Sequence, residues 1–209
     1  MCAVDLKDAY FHVPIGRKHR KFLRFVVGST HYQYKVLPFR LKTAPRTFSK
    51  CMAIVAAHLR RQRIFVYPHL DDWLIMAAIP SLASAHLHRC IELLSRLGLQ
   101  INYDKSTMAP VQRIHYLGAI LDTQEEKAYP SEERLSSIRR KCLTLVRTPR
   151  STARTISSLL GSIASCIFLV PNARLQMRPL QQCMEDQWSQ FRDSWEKRLL
   201  SPVALQSIP

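Results

Sequence analysis

The chain has 209 residues, 47% of them hydrophobic, and 31 Lys and Arg stand against 15 Asp and Glu for a formal net charge of +16. That length suits one domain or one domain with a small appendage, and the apolar content supports a real core and excludes wholesale disorder. The positive excess points to a polyanionic partner, nucleic acid being the commonest, and no amphipathic lysine-rich anchor argues for a membrane instead.

Residues 1–7 read as a strand, with Asp5 at the end of the short apolar run Cys2-Ala3-Val4. Gly16-Arg17-Lys18-His19-Arg20-Lys21 is a dense positive run that reads equally as a phosphate contact, a nuclear import signal or a solvated loop. Phe22–Val27 and His31–Val36 alternate as a hairpin turned by Gly28-Ser29. A helix then starts near Thr43, which can cap it, with Pro45 in the first turn, and runs to about Gln62. Phe48, Met52, Val55 and Leu59 recur on one face at the spacing of a buried stripe.

Tyr67-Pro68-His69-Leu70-Asp71-Asp72-Trp73-Leu74-Ile75 follows, two adjacent carboxylates inside an apolar run whose flanks have strand composition. This is a hairpin with Asp71 and Asp72 at its tip. An isolated Asp-Asp pair is most often an ordinary turn. Adjacent carboxylates nevertheless repel unless a cation sits between them, and hard divalent ions prefer such oxygen ligands. If the first strand pairs beside this hairpin, Asp5 meets Asp71 and Asp72 at one sheet edge. Three carboxylates so placed could bind two metals about 3.5–4 Å apart, one activating a nucleophilic oxygen and the other stabilising a leaving pyrophosphate.

Pro80-Ser81 opens a further helix with Leu87, Ile91, Leu94 and Leu97 as its core face and Gly98 as its stop. The order strand, helix, hairpin, helix is that of a split βαβ sheet with helices on one face, a fold that serves many functions. From Tyr129 the composition becomes helical. One helix starts at Pro130-Ser131 with Leu135, Ile138, Cys142 and Leu145, a second spans about Ser151–Val170 and stops at Pro171, and a third covers about Ala173–Trp188. The expected division is therefore 1–128 and 129–209. Thr155–Ala173 is uncharged, but its four serines and Gly161 fit a packed helix better than a membrane span. Trp73, Trp188 and Trp195 read as packing residues. The six cysteines (Cys2, Cys51, Cys90, Cys142, Cys166, Cys183) lack any Cys-x-x-Cys spacing. They read as reduced thiols of an intracellular protein, cytoplasmic or nuclear, and argue against zinc.

Four segments in order carry a family resemblance. They are Val4-Asp5-Leu6-Lys7-Asp8-Ala9-Tyr10-Phe11; Leu37-Pro38-Phe39-Arg40-Leu41-Lys42-Thr43-Ala44-Pro45-Arg46-Thr47-Phe48; the Asp-Asp hairpin; and Lys105-Ser106 followed by Ile114-His115-Tyr116-Leu117-Gly118. Together they resemble the palm of reverse transcriptases, and their wording is most like the DIRS-type, tyrosine-recombinase retrotransposons. The resemblance implies an α+β fold, a split βαβ polymerase palm with a primer-grip hairpin followed by a helical thumb or connection. It implies two Mg²⁺ (or Mn²⁺) ions on Asp5, Asp71 and Asp72, with Lys105 helping to protonate the leaving pyrophosphate. Leu6, Tyr10, Phe39 and Arg40 would line the nucleotide site, Tyr10 rejecting a 2′-hydroxyl by steric clash. Tyr116, Leu117 and Gly118 would hold the primer 3′ end, and Arg46, Lys50, Arg139 and Arg140 would contact template-primer phosphates, a sequence-independent grip.

Two positions depart from the family pattern. Arg40 stands where Gly is usual, and a side chain there is expected to block both close backbone approach and φ > 0. His69 stands where Tyr is usual and adds a group that titrates near neutrality. Only four residues precede Asp5, so a fingers region is expected to be missing, and no second acidic constellation for a ribonuclease H is visible. Both could lie elsewhere in a parent polyprotein. The expected function is RNA-directed DNA polymerisation from deoxynucleoside triphosphates on an RNA or DNA template-primer, with no membrane partner. The isolated chain, read as a truncated element copy, is expected to polymerise poorly or not at all. The alternatives are an inactive nucleic-acid-binding remnant and, more remotely, a metal-dependent nuclease.

Overall fold

A computed structural model describes residues 1–200, and within it the chain divides into two compact units that meet in sequence at Leu117 and Gly118. Composition had placed the change at 128/129; the last nine residues of the expected 129–209 region lie outside the described residues.

The first unit contains β1 (Cys2–Asp5), α1 (Arg17–Arg20), β2 (Arg24–Val27), β3 (Thr30–Gln33), α2 (Ala44–Arg61), β4 (Phe65–His69), β5 (Asp72–Met76), α3 (Pro80–Arg96) and β6 (Arg113–Tyr116). Its central sheet has the order β1-β5-β4, antiparallel throughout. Strand side chains alternate between faces, so the register sorts them. Cys2, Val4, Val66, Trp73 and Ile75 fall on one face and are buried against Phe48, Met52, Ala56 and Leu59 of α2 and Ala83, Leu87, Cys90 and Leu94 of α3. Asp5, Asp72 and His69 fall on the other face. This is the α+β arrangement expected, helices on one side of the sheet and carboxylates on the other.

The helix limits agree with the expected spans, with small corrections. Thr43 precedes α2 in the N-cap position, but its hydroxyl makes no capping hydrogen bond, and Pro45 supplies the start. The buried stripe of α3 is Ala83, Leu87, Cys90 and Leu94. Ile91 is half-buried and Leu97, expected in the core, is 55% exposed because it follows the last helical turn before Gly98 at φ 83°. The basic run at 17–20 closes one exposed helical turn.

The second unit contains β7 (Ala119–Asp122), β8 (Lys127–Pro130), α4 (Glu132–Arg147), β9 (Arg150–Thr152), α5 (Ala153–Ala164), α6 (Ala173–Gln176), α7 (Arg178–Gln187) and β10 (Arg198–Leu200). Leu145, Ile156, Leu159, Leu180, Met184 and Leu199 form its core. Ser131 caps α4 by accepting from Arg134 N at 3.3 Å, and Glu132 and Glu133 complement the helix dipole. Two expected helices are shorter than read. The stretch expected to begin a helix at Ser151 instead pairs as β9 with β10, and Thr152 caps α5. Ser162 and Ser165 hydroxyls donate to Ser158 O (2.9 Å) and Ser162 O (2.7 Å), the back-bonding that weakens helices, and α5 ends at Ala164 rather than Val170. The span 173–188 breaks at Met177, since Pro179 begins a new helix more readily than it continues one. The hairpin β7–β8 was not anticipated. Among the described residues no helix is long and apolar enough to cross a membrane, and all six cysteines are free.

Candidate active site

The antiparallel register sets Asp5 of β1 directly opposite Asp72 of β5, and Asp72 in turn opposite His69 of β4. Directly opposed side chains on one face lie about 4.5–5.5 Å apart at Cβ. Asp71 occupies the two-residue turn between β4 and β5. Its carbonyl accepts a hydrogen bond from Leu6 N at 2.9 Å, which ties the turn to the end of β1. Leu70, the other turn residue, sits at φ 54°, a region that costs an L-residue about 1–2 kcal/mol. The strained turn thus keeps Asp71 next to the opposed pair Asp5 and Asp72 at the end of the sheet.

Asp5 is fixed from the opposite side. Its N–H donates to Ser106 Oγ (3.0 Å), whose hydroxyl donates to Asn102 O (2.6 Å), and its carbonyl accepts from Asn102 N (2.8 Å). Sequence reading singled out Lys105 and passed over Ser106, although the two are adjacent. Lys105 is exposed, and its charge reaches Asp72.

The electrostatics are those of crowded acids. Burial, then the charges of Asp71 and Asp5, push the Asp72 carboxyl above the usual carboxylate range, against smaller opposing effects of His69 and Lys105. No Lys or Arg comes within ion-pairing distance of these three carboxylates among the described residues. A hard divalent cation suits such a donor set. The described side chains, however, contain no ready-made cluster of three His, Cys, Asp or Glu for a metal ion. Mg²⁺ ordinarily takes one or two carboxylates and completes its shell with water and substrate phosphates, so a full protein cage is not what this chemistry requires.

The raised Asp72 pKa has a consequence for stability. A carboxyl whose folded pKa exceeds its unfolded value contributes stability below the unfolded pKa and loses it as pH rises through the folded value. In EDTA, the melting temperature of the Asp72→Asn variant is therefore expected to gain on that of the native chain as pH climbs through and above the carboxylate range. Parallel curves for the two proteins would refute the crowding.

Tyr10 lies half-buried, with ring centroids 5.0 Å from Phe39 and 5.4 Å from Phe48, and Phe11 packs edge-on to Phe39 at 5.0 Å. Burial and the Asp71 charge raise the Tyr10 pKa. Phe39 is 50% exposed beside it, and Arg40 is exposed. Leu6 differs from its expected role, for its side chain is buried at 2% exposure and only its N–H serves the site. The Tyr116 hydroxyl is held within the first unit. Its hydroxyl donates to Tyr67 O at 2.6 Å and lies 3.5 Å from Asp72 O, and burial followed by the Asp72 charge pushes its pKa to about 12. It braces the carboxylate hairpin from behind. Leu117 and Gly118 follow with φ of 51° and 72°. Arg46, Lys50, Arg139 and Arg140 are all exposed, the first pair on α2 and the second on α4.

Arg40 corrects an expectation. It takes φ 66° despite its side chain, so the backbone keeps the conformation that glycine favours. Relief of about 1–2 kcal/mol of left-handed strain, less the roughly 0.5–1 kcal/mol of extra chain entropy that glycine loses on folding, predicts a net gain near 0.5–1 kcal/mol for Arg40→Gly. Urea midpoints measure it, and a lower midpoint for the variant would contradict it.

The profile of the reverse transcriptase (RNA-dependent DNA polymerase) family matches residues 1–121. Protein P of duck hepatitis B virus (strain United States/DHBV-16) is 26% identical over 121 residues, covering 57% of this chain and 14% of the viral protein. Polyprotein P3 of Commelina yellow mottle virus is 28% identical over 126 residues, 60% of this chain and 6% of the polyprotein. The fold matches a foamy viral protease-reverse transcriptase in complex with double-stranded DNA (TM-score 0.75, 17% identity, 91% of this chain and 32% of that one). It likewise matches that of a foamy viral protease-reverse transcriptase in complex with RNA/DNA hybrid (TM-score 0.73, 18% identity, 95% and 24%). The chain thus spans a small part of the length of each of these relatives.

Proposed function

Because the chain belongs to the reverse transcriptase (RNA-dependent DNA polymerase) family, we propose that its carboxylate edge is an RNA-directed DNA polymerase site, which extends a primer 3′-hydroxyl on an RNA or DNA template from deoxynucleoside triphosphates. The observation that carries this reading is the pairing of Asp5 with Asp72 across the strands, with Asp71 pinned at the adjoining turn.

Asp5, Asp71 and Asp72 would hold divalent ions, Mg²⁺ or Mn²⁺, which supply charge stabilisation to phosphoryl oxygens and acidity to the attacking hydroxyl. The chain's own groups do the positioning. Ser106 and Asn102 fix the backbone of Asp5, Leu6 N fixes that of Asp71, and Tyr116 braces the hairpin. Tyr10, wedged between Phe39 and Phe48, cannot easily move aside, which suits a steric gate against a 2′-hydroxyl. Lys105, whose charge reaches Asp72, would give a proton to departing pyrophosphate. The exposed Arg46, Lys50, Arg139 and Arg140 offer phosphate contacts of the sequence-independent kind. The double-stranded DNA and RNA/DNA hybrid in the foamy viral complexes support a template-primer as the partner. The wording of the motifs, including Trp73 after the aspartate pair, supports a DIRS-type element as the source.

The test is primer extension on a primed RNA template with Mg²⁺ or Mn²⁺. Template-directed addition of deoxynucleotides is expected, slow from this chain by itself. Salt-sensitive duplex binding with no extension under either metal would overturn the catalytic reading and leave a binding protein.

A further inference from the structure

The ribbon β2–β3 is the least buried regular structure in the first unit, for every residue of both strands is exposed. It is nonetheless firmly rooted. Ile15 N donates to Lys35 O (2.9 Å), Leu37 N donates to Val13 O (2.9 Å), Pro14 bridges to Val36, and Arg20 Nε donates to Ile15 O (2.9 Å). The register places Phe25 opposite Tyr32, with Val27 and Tyr34 on the same face. Phe25 and Tyr32 stack at 5.5 Å and 19°, Tyr34 lies 5.0 Å from Phe25, and the first two are 39% and 48% exposed. Phe22, 73% exposed, carries Lys21 over its ring at 5.1 Å.

Exposed aromatics alone would not say what covers them, but the surrounding charge does. Residues 9–70 contain no Asp or Glu while carrying 13 Lys and Arg. Arg17, Lys18, Arg20 and Lys21 lead into the ribbon in sequence, Arg24 stands on its opposite face, and none of the five forms an ion pair among the described residues. An exposed aromatic platform joined to a run of cations is the combination that holds single-stranded nucleic acid, with bases on the rings and backbone on the cations. We propose that the β2–β3 ribbon, with the basic turn α1 before it, binds single-stranded RNA or DNA through stacking on Phe25 and Tyr32. This surface needs neither the carboxylates nor a primer end, so it stands or falls separately from polymerase activity.

The experiment is fluorescence anisotropy of the full chain with labelled dT12 and rU12 across a salt series, beside a blunt duplex. Two double variants are compared, Phe25→Ala with Tyr32→Ala and Phe25→Leu with Tyr32→Leu; the second keeps apolar bulk and removes the π-faces. Both are expected to weaken single-strand binding about tenfold or more, from the usual worth of stacked bases, while leaving the salt slope and duplex binding unchanged. Joint Arg17→Gln, Lys18→Gln and Lys21→Gln substitution is expected to flatten the single-strand salt slope. Photocrosslinking with 5-iodouracil oligonucleotides should label Phe25 or Tyr32. Native-strength single-strand binding by the leucine variant would overturn the proposal. So would alanine variants that bind dT12 normally but change the sedimentation coefficient, which would make the ribbon a protein-docking face instead.

Discussion

Asp71→Asn is expected to cut primer extension by a factor on the order of 100 to 1,000, since the metal-borne charge stabilisation it supports is worth several kcal/mol and each 1.4 kcal/mol is tenfold in rate. Asp5→Asn should do the same, because its carboxylate sits opposite Asp72 on the neighbouring strand. Neither change should impair folding. Asp71 is exposed, its structural bond to Leu6 uses the backbone carbonyl, and amide for carboxylate removes repulsion from Asp72. Template-primer affinity should hold or rise slightly, since the cationic surface supplies it and a negative charge has been removed. Extension that survives both substitutions would detach the chemistry from this edge. Joint loss of extension and of duplex affinity would show that the aspartates shape the binding surface instead.

How far the sequence foretold this site can be judged residue by residue. The juxtaposition of Asp5 with the Asp-Asp turn was conditional on the first strand pairing beside the hairpin, and the β1–β5 register meets that condition. The α2 stripe was legible because its 3–4 spacing is local, save that Ala56 is buried and the expected Val55 only half-buried. What escaped was of another kind. Ser106 and Tyr116 act through hydrogen bonds to backbone groups of residues 101 and 49 positions away, and nothing in their local sequence announces the partner. The family resemblance put Leu6 at the nucleotide site, but strand alternation turns its side chain into the core. Arg40 was expected to forbid φ > 0. The structure nonetheless holds it at φ 66°, a strain of the sort that functional loops retain. In the second unit, serine back-bonding and Pro179 shortened helices whose apolar pattern alone ran on.

Trp73 shows how the core enforces the site, and Trp73→Ala is expected to cost about 3–5 kcal/mol, the usual range for emptying a buried aromatic position. It is fully buried, follows Asp72 directly, and lies between Val4 and Pro68 in the register. Its ring faces the helices while its neighbour faces the opposite side, so the tryptophan anchors the strand that presents the carboxylate. Against a typical total stability of roughly 5–15 kcal/mol, that loss would leave a markedly lower urea midpoint and a β5 strand whose amides exchange faster with solvent. Trp73→Phe should behave differently. The indole Nε1–H is buried and meets no protein acceptor, and an unpaired buried donor costs about 1–3 kcal/mol. Phenylalanine forfeits some packing but removes that donor, so its midpoint should fall near the native one. Equal destabilisation by both substitutions would mean the indole nitrogen is satisfied in solution. An unchanged midpoint for Trp73→Ala would mean the strand is held by its hydrogen-bonded neighbours alone, and Asp72 would owe its position to β1 and β4 rather than to the core beneath it.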